Sequence, residues 1–71
     1  DGTVWGTGIY TIDSDLATAA VHAGLVRPGE TAIVLAEILP GQESYAGSEN
    51  FGVSSRDFWQ YWASYHLKNP Q

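Results

Sequence analysis

DSDLATAAVHAGL, residues 13–25, decides how the rest of this 71-residue chain is read. Asp13 or Ser14 offers a side-chain oxygen to cap a helix, Asp15 adds negative charge at the positive end of the dipole, and Gly24 is placed to stop it. The predicted helix is about nine residues long, too short to be stable alone. Leu16, Ala19, Ala20 and Ala23 fall at helical spacing on one apolar stripe, and Ala17 and Val21 add apolar atoms on the flank. A helix this small and apolar fits best as a central element pressed against sheet on more than one side, its alanines giving backbones room to approach.

Strand signals surround it. VWGTGIYT (4–11) is rich in β-branched and aromatic residues, and Gly6 and Gly8 predict a bend or bulge. Arg27-Pro28-Gly29-Glu30 reads as a turn. TAIVLAEIL (31–39) follows as the longest β-like run, ended by Pro40-Gly41; strand is preferred to helix because turn signals flank it. Residues 43–46 and 53–55 are predicted short strands joined by the loop 47–52. In FWQYWASYHLK (58–68), alternation sets Trp59, Tyr61, Ala63, Tyr65 and Leu67 on one face and Gln60, Trp62, Ser64 and His66 on the other, a strand pattern that Trp62 alone breaks. The expectation is one domain over residues 1–71, with 1–3 and 69–71 as linker or terminal segments. The missing initiator Met suggests a mature or excised piece of a longer protein.

Composition narrows the partners. A domain this size buries only about 60% of its unfolded surface, and with no cysteine it has neither a disulfide nor the commonest zinc ligand. Three Trp, four Tyr and two Phe must anchor the core instead. Net charge −5 with only Arg27, Arg56 and Lys68 as cations leaves no basic patch for nucleic acid or anionic membrane. No apolar run is long enough for membrane insertion. Asn50 and Asn69 lie outside any Asn-x-Ser/Thr site.

GTGIYT, then DSDLATAAVHAGLV, a hydrophobic strand and SYAGSENFGVSS together resemble the LCCL domain, an extracellular module of secreted and cell-surface proteins. The similarity covers nearly the whole chain, from Val4 to Tyr65. Its motif residues here are Asp13, Ser14, Ala19, Ala20, His22 and Gly24, followed by Tyr45, Gly47, Ser48 and Gly52; the alanine-histidine-glycine string is the most specific part. Disulfide-bearing members carry a cysteine where Ala17 stands, so this chain looks like the cysteine-free, bacterial-like variety. An Asn commonly precedes the second loop Gly, whereas here Phe51 precedes Gly52 and Asn50 sits one place earlier. The resemblance implies an α+β fold, one short central helix packed against antiparallel strands, and a non-catalytic extracellular or cell-surface role.

Chemistry-bearing residues are few. His22 is read as a hydrogen-bonding residue of the packed interior, with ligand or catalytic duty as the competing reading; His66 is given no role. No serine stands in a recognisable nucleophile context. Asp13-Ser14-Asp15 offers oxygens to a hard cation, but the remaining ligands of a calcium loop are missing and helix capping is the better account. Glu37, Glu43, Glu49 and Asp57 are read as solvated charges rather than acid pairs. No catalytic residue, metal or cofactor is expected. The aromatic group Trp59, Tyr61, Trp62 and Tyr65 is the candidate contact for a ligand or partner, with Trp59, Tyr61 and Tyr65 assigned inward and Trp62 outward. Two functions compete: a module binding carbohydrate or another surface component, and a protomer of an extracellular fibre or adhesive array. In the second, exposed edges such as 4–11 pair between subunits as a homo-oligomer or filament. A small hydrolase is the least supported.

Overall fold

A computed structural model of the chain describes residues 2–70; the outermost residues of the two expected terminal segments lie outside it. In chain order the elements are β1 (Gly6–Thr7), β2 (Ile9–Thr11), α1 (Leu16–His22), β3 (Leu35–Pro40), β4 (Glu49–Asn50), β5 (Val53–Ser54) and β6 (Ala63–Lys68). The fold is α+β: an antiparallel sheet ordered β1-β2-β6-β3, a separate β4-β5 hairpin, and one helix. Tyr10 and Tyr65, directly opposed on β2 and β6, carry the sheet's contribution to a core that includes Val4, Leu67, Ala19 and Ala20.

The helix is shorter at its start than its capping signals suggest. Asp15, not Asp13 or Ser14, is the cap: its backbone is extended and its carboxylate accepts from the Thr18 N–H at 3.0 Å and the Thr18 hydroxyl at 2.6 Å. Ser14 is buried, where its hydroxyl accepts from Trp5 N–H at 3.0 Å and lies 2.8 Å from the Thr11 hydroxyl. Asp13 stays exposed. At the other end Gly24, with φ +81, donates to Val21 O while Leu25 donates to Ala20 O, which is a Schellman stop. Gly2 and Thr3, expected as terminal linker, are tied to the helix start through Thr18 and Asp15.

Hydrogen bonds from the Thr18 hydroxyl and then its N–H hold the Asp15 carboxyl below its ordinary value. A depressed carboxyl stabilises the fold above about pH 4 and loses that contribution as pH falls through its folded-state value. Asp15→Ala is therefore expected to lower stability by about 1 kcal/mol at neutral pH. The difference should vanish in acid, as urea unfolding at several pH values would reveal.

The helix touches both sheets but is not enclosed by them. Ala19, Ala20 and His22 are buried against the sheet, and the β4-β5 hairpin packs beside them. Its outer side is open: Leu16 and Ala17 are exposed and Val21 is half-buried, so the expected stripe is covered at Ala19, Ala20 and Ala23 but not at Leu16.

Four strand assignments change. Residues 4–11 form a tight hairpin folding back at Gly8, pairing Gly6 with Tyr10, rather than one bent strand. Residues 43–46 contribute only a single bridge, Tyr45 to Phe58, and the partner of Val53–Ser54 is Glu49–Asn50, inside the expected loop. Phe51 and Gly52 make the turn between them with φ +52 and +80, a two-residue hairpin turn. An Asn fits that left-handed position readily and a bulky Phe does not. The last strand begins at Ala63, not Phe58, and the long run yields a strand only from Leu35 onward.

Candidate functional site

The buried polar group comes first, because it decides whether His22 does chemistry. His22 is fully buried. Its Nε2 lies 3.0 Å from the Ser48 carbonyl, which can only accept, so Nε2 carries the proton and Nδ1 is left to accept from the Tyr10 hydroxyl at 2.9 Å. Burial raises the Tyr10 pKa, which keeps that proton on the phenol. The Ser48 hydroxyl lies 3.3 Å from Nε2 but 2.6 Å from the Thr7 hydroxyl. Thr7 donates to Ala46 O at 2.8 Å, so Ser48 donates to Thr7. His22 has no lone pair facing Ser48 and cannot take its proton; the group ties helix, sheet and β4-β5 hairpin together.

The remaining motif residues serve the same scaffold. Tyr45 is buried with its hydroxyl 2.6 Å from that of Ser64. Gly47 has no room for a side chain, since a Cβ there would lie 2.6 Å from Ser55 O, and its N–H donates to Asp57 at 2.6 Å. Ser48 N–H donates to the Ser55 hydroxyl at 2.8 Å. Gly52 supplies the second left-handed residue of the hairpin turn.

The acids are separated by task. Glu37 accepts from His66 Nε2 at 2.5 Å, with Lys68 Nζ at 3.7 Å, and that histidine bond, followed by the lysine charge, holds its carboxyl below the ordinary range. Glu43 and Glu49 are exposed. Among the described residues no three metal-ligating side chains come together, and no helix is long and apolar enough to cross a membrane.

Two indoles reach solvent. Trp62 is 76% exposed and Trp59 73%. Trp59 therefore does not face inward: residues 59–62 precede β6 without pairing, so the two-residue alternation of the strand never reaches them. Tyr65 does face inward and is removed from any contact surface, because it is buried and its hydroxyl donates to Ser14 O at 2.9 Å. Burial, and then the charges of Asp15, Tyr10 and Asp13, push its pKa strongly upward. Tyr61 is half-buried and joins a line of rings: Trp5 to Phe58 at 6.3 Å, Phe58 to Tyr61 at 5.6 Å, both edge to face, and Tyr61 to Trp62 at 6.1 Å, tilted by 36°.

The line is held by backbone. Phe58 exchanges two hydrogen bonds with Tyr45, and Tyr61 N–H donates to Gln42 O at 3.2 Å. Gly41 lies so close that a Cβ would sit 2.0 Å from Tyr61 O. Trp5 and Phe58 are members that local sequence reading missed, since only the long-range bridges Trp5 to Arg56 and Tyr45 to Phe58 bring them into line. A concavity over the outer face of the helix is lined by Ala17, Val21, Pro28, Val53 and the 70%-exposed Phe51.

Comparison with known proteins agrees with this scaffold. The transcriptional regulatory protein rxt3 of Schizosaccharomyces pombe is 39% identical over 59 residues, covering 78% of this chain but 17% of that protein. This chain thus corresponds to a small part of that relative's length. The family model of the LCCL domain matches residues 1–65, which include the helix, the His22 group and both sheets apart from the end of β6. With that match over most of its length, the chain belongs to the LCCL domain family, a family of non-catalytic binding domains.

Proposed function

We propose that this domain is an extracellular or cell-surface interaction module that meets a carbohydrate or another surface component through the outer end of its aromatic line, Trp62 above all. The observation that carries the reading is an indole left 76% exposed yet packed beside Tyr61, which in turn meets Phe58 edge to face. A ring fixed in this way offers a flat apolar face at little entropic cost, the property that makes tryptophan effective at binding surfaces. Net charge −5 turns away nucleic acid.

Tryptophan fluorescence titrated against a panel of glycans and surface extracts tests it. Trp62→Ala is expected to weaken the interaction by about 2 kcal/mol, roughly thirtyfold in Kd, without changing the melting temperature. A variant that binds like the parent removes the aromatic end from the role.

A second reading, a protomer of an extracellular assembly, is favoured by the other apolar surface. Ile33, Leu35 and Ile38 are exposed on and beside an edge strand. The edge formed by residues 4–11 is the poorer candidate for such pairing, since β1 is two residues long and Trp5–Gly6 is already bridged to Arg56.

A further inference from the structure

We propose that β3 pairs antiparallel with β3 of a second copy of this chain, about a two-fold axis through Ile38. This rests on the assembly reading above and names its contact.

The outward-facing backbone groups follow from the neighbouring strand. Ala63 O accepts from Ile12 N–H, so Ala63 faces the β2 side of β6. Alternation then turns Tyr65 and Leu67 the same way, and turns Ser64, His66 and Lys68 toward β3. Their partners there are Leu39, Glu37 and Leu35. Ala36, Ile38 and Pro40 are left presenting their main-chain groups to the free edge, and no described strand covers it.

This edge lacks the usual protection. It has no lysine and no interior proline, and every β3 residue except Leu39 is exposed, with Ile38 at 65% and the adjacent Ile33 at 79%. Its single charge is answered within the chain, by His66 and Lys68. The patch is therefore nearly neutral although the molecule carries −5, and a second copy meets no local repulsion there.

The edge is also self-complementary in one register. With the axis at Ile38, each Ile38 exchanges both main-chain bonds with Ile38 of the second copy, and each Ala36 N–H meets the opposite Pro40 carbonyl. Both free donors of the edge are satisfied, and the N–H that proline lacks leaves no orphan donor. Moving the axis to Glu37 sets two carboxylates directly opposite one another, which is unfavourable. Moving it to Leu39 opposes Ile38 to Pro40 and leaves the Ala36 N–H beyond the strand's partner.

Sedimentation velocity from micromolar to millimolar concentration, combined with amide hydrogen exchange on the whole chain, tests the pairing. A dimer is expected, with exchange at Ala36 and Ile38 slowing by about tenfold or more as concentration rises, while Glu37, bonded to β6 in both states, does not change. Added salt should strengthen the dimer by screening the net charge. Ile38→Lys should retain its melting temperature and remain monomeric; should it fail to fold, exchange in the parent decides alone. A dimer whose Ala36 and Ile38 amides stay fast, or one that survives Ile38→Lys, overturns the proposal. Larger species with those amides still fast leave the assembly reading standing without this contact, whereas a monomer at every concentration ends both.

Discussion

His22→Ala is expected to leave this domain only marginally folded at room temperature. The imidazole is fully buried and joins three parts of the fold, accepting from Tyr10 and donating to Ser48 O. Truncation leaves the buried Tyr10 phenol without its acceptor, at about 1–3 kcal/mol for an unsatisfied group, while Ser48 O keeps its bonds from the Ser55 N–H and hydroxyl. The cavity adds to this, for a total of about 3–4 kcal/mol. A core of this size rarely supplies more than about 3–5 kcal/mol, so the loss removes most of the margin. Urea unfolding of the parent, His22→Ala, Tyr10→Phe and the double variant measures it. The two single losses should fail to add by about 1 kcal/mol, because both remove the same bond. Additive losses, or a His22→Ala variant within about 1 kcal/mol of the parent, would show that the group contributes packing only.

Gly6→Ala should be nearly as damaging, for a different reason. Gly6 has φ +107, and a Cβ there would lie 2.3 Å from the Ile9 carbonyl oxygen, a backbone atom that cannot move without opening the β1-β2 hairpin. Gly8, two residues away, also has positive φ, +76, but has open space around its Cα. Gly8→Ala therefore measures conformational cost alone, about 1 kcal/mol, and Gly6→Ala adds the collision, for about 3 kcal/mol or more. Thermal unfolding of the pair separates the two effects. Equal melting temperatures would mean that the hairpin relaxes around the methyl group.

The early segments were legible because their signals are local. Gly24 stops the helix as its position suggests, and Ala19 and Ala20 meet the sheet as their size suggests. The start of the helix misled because Asp13, Ser14 and Asp15 are all good caps, and the choice among them is made by Trp5 and Thr11, which draw Ser14 inward. Trp59 misled through extrapolation: alternation holds only where a strand is paired, and pairing begins at Ala63. In the candidate site Trp62 could be picked out as the break in a pattern, but its support by Phe58 and Trp5 could not, since residues separated by some fifty positions meet there.

Composition and short-range spacing by themselves determined the small-residue helix and its stop, the strand-rich segments around it, the interior role of His22, and a chain without a basic surface, while the α+β class came from the resemblance of its motifs to the LCCL domain. These depend on volume, charge and capping, which each residue brings with it wherever it lies. Only the tertiary structure decided which hydroxyl or carboxylate caps the helix, which aromatic rings share a line, and which strand is left with an open edge. Each of those depends on which distant segment occupies the neighbouring space, and the hydrogen-bonding demand of a backbone group is not visible until its partner strand is known.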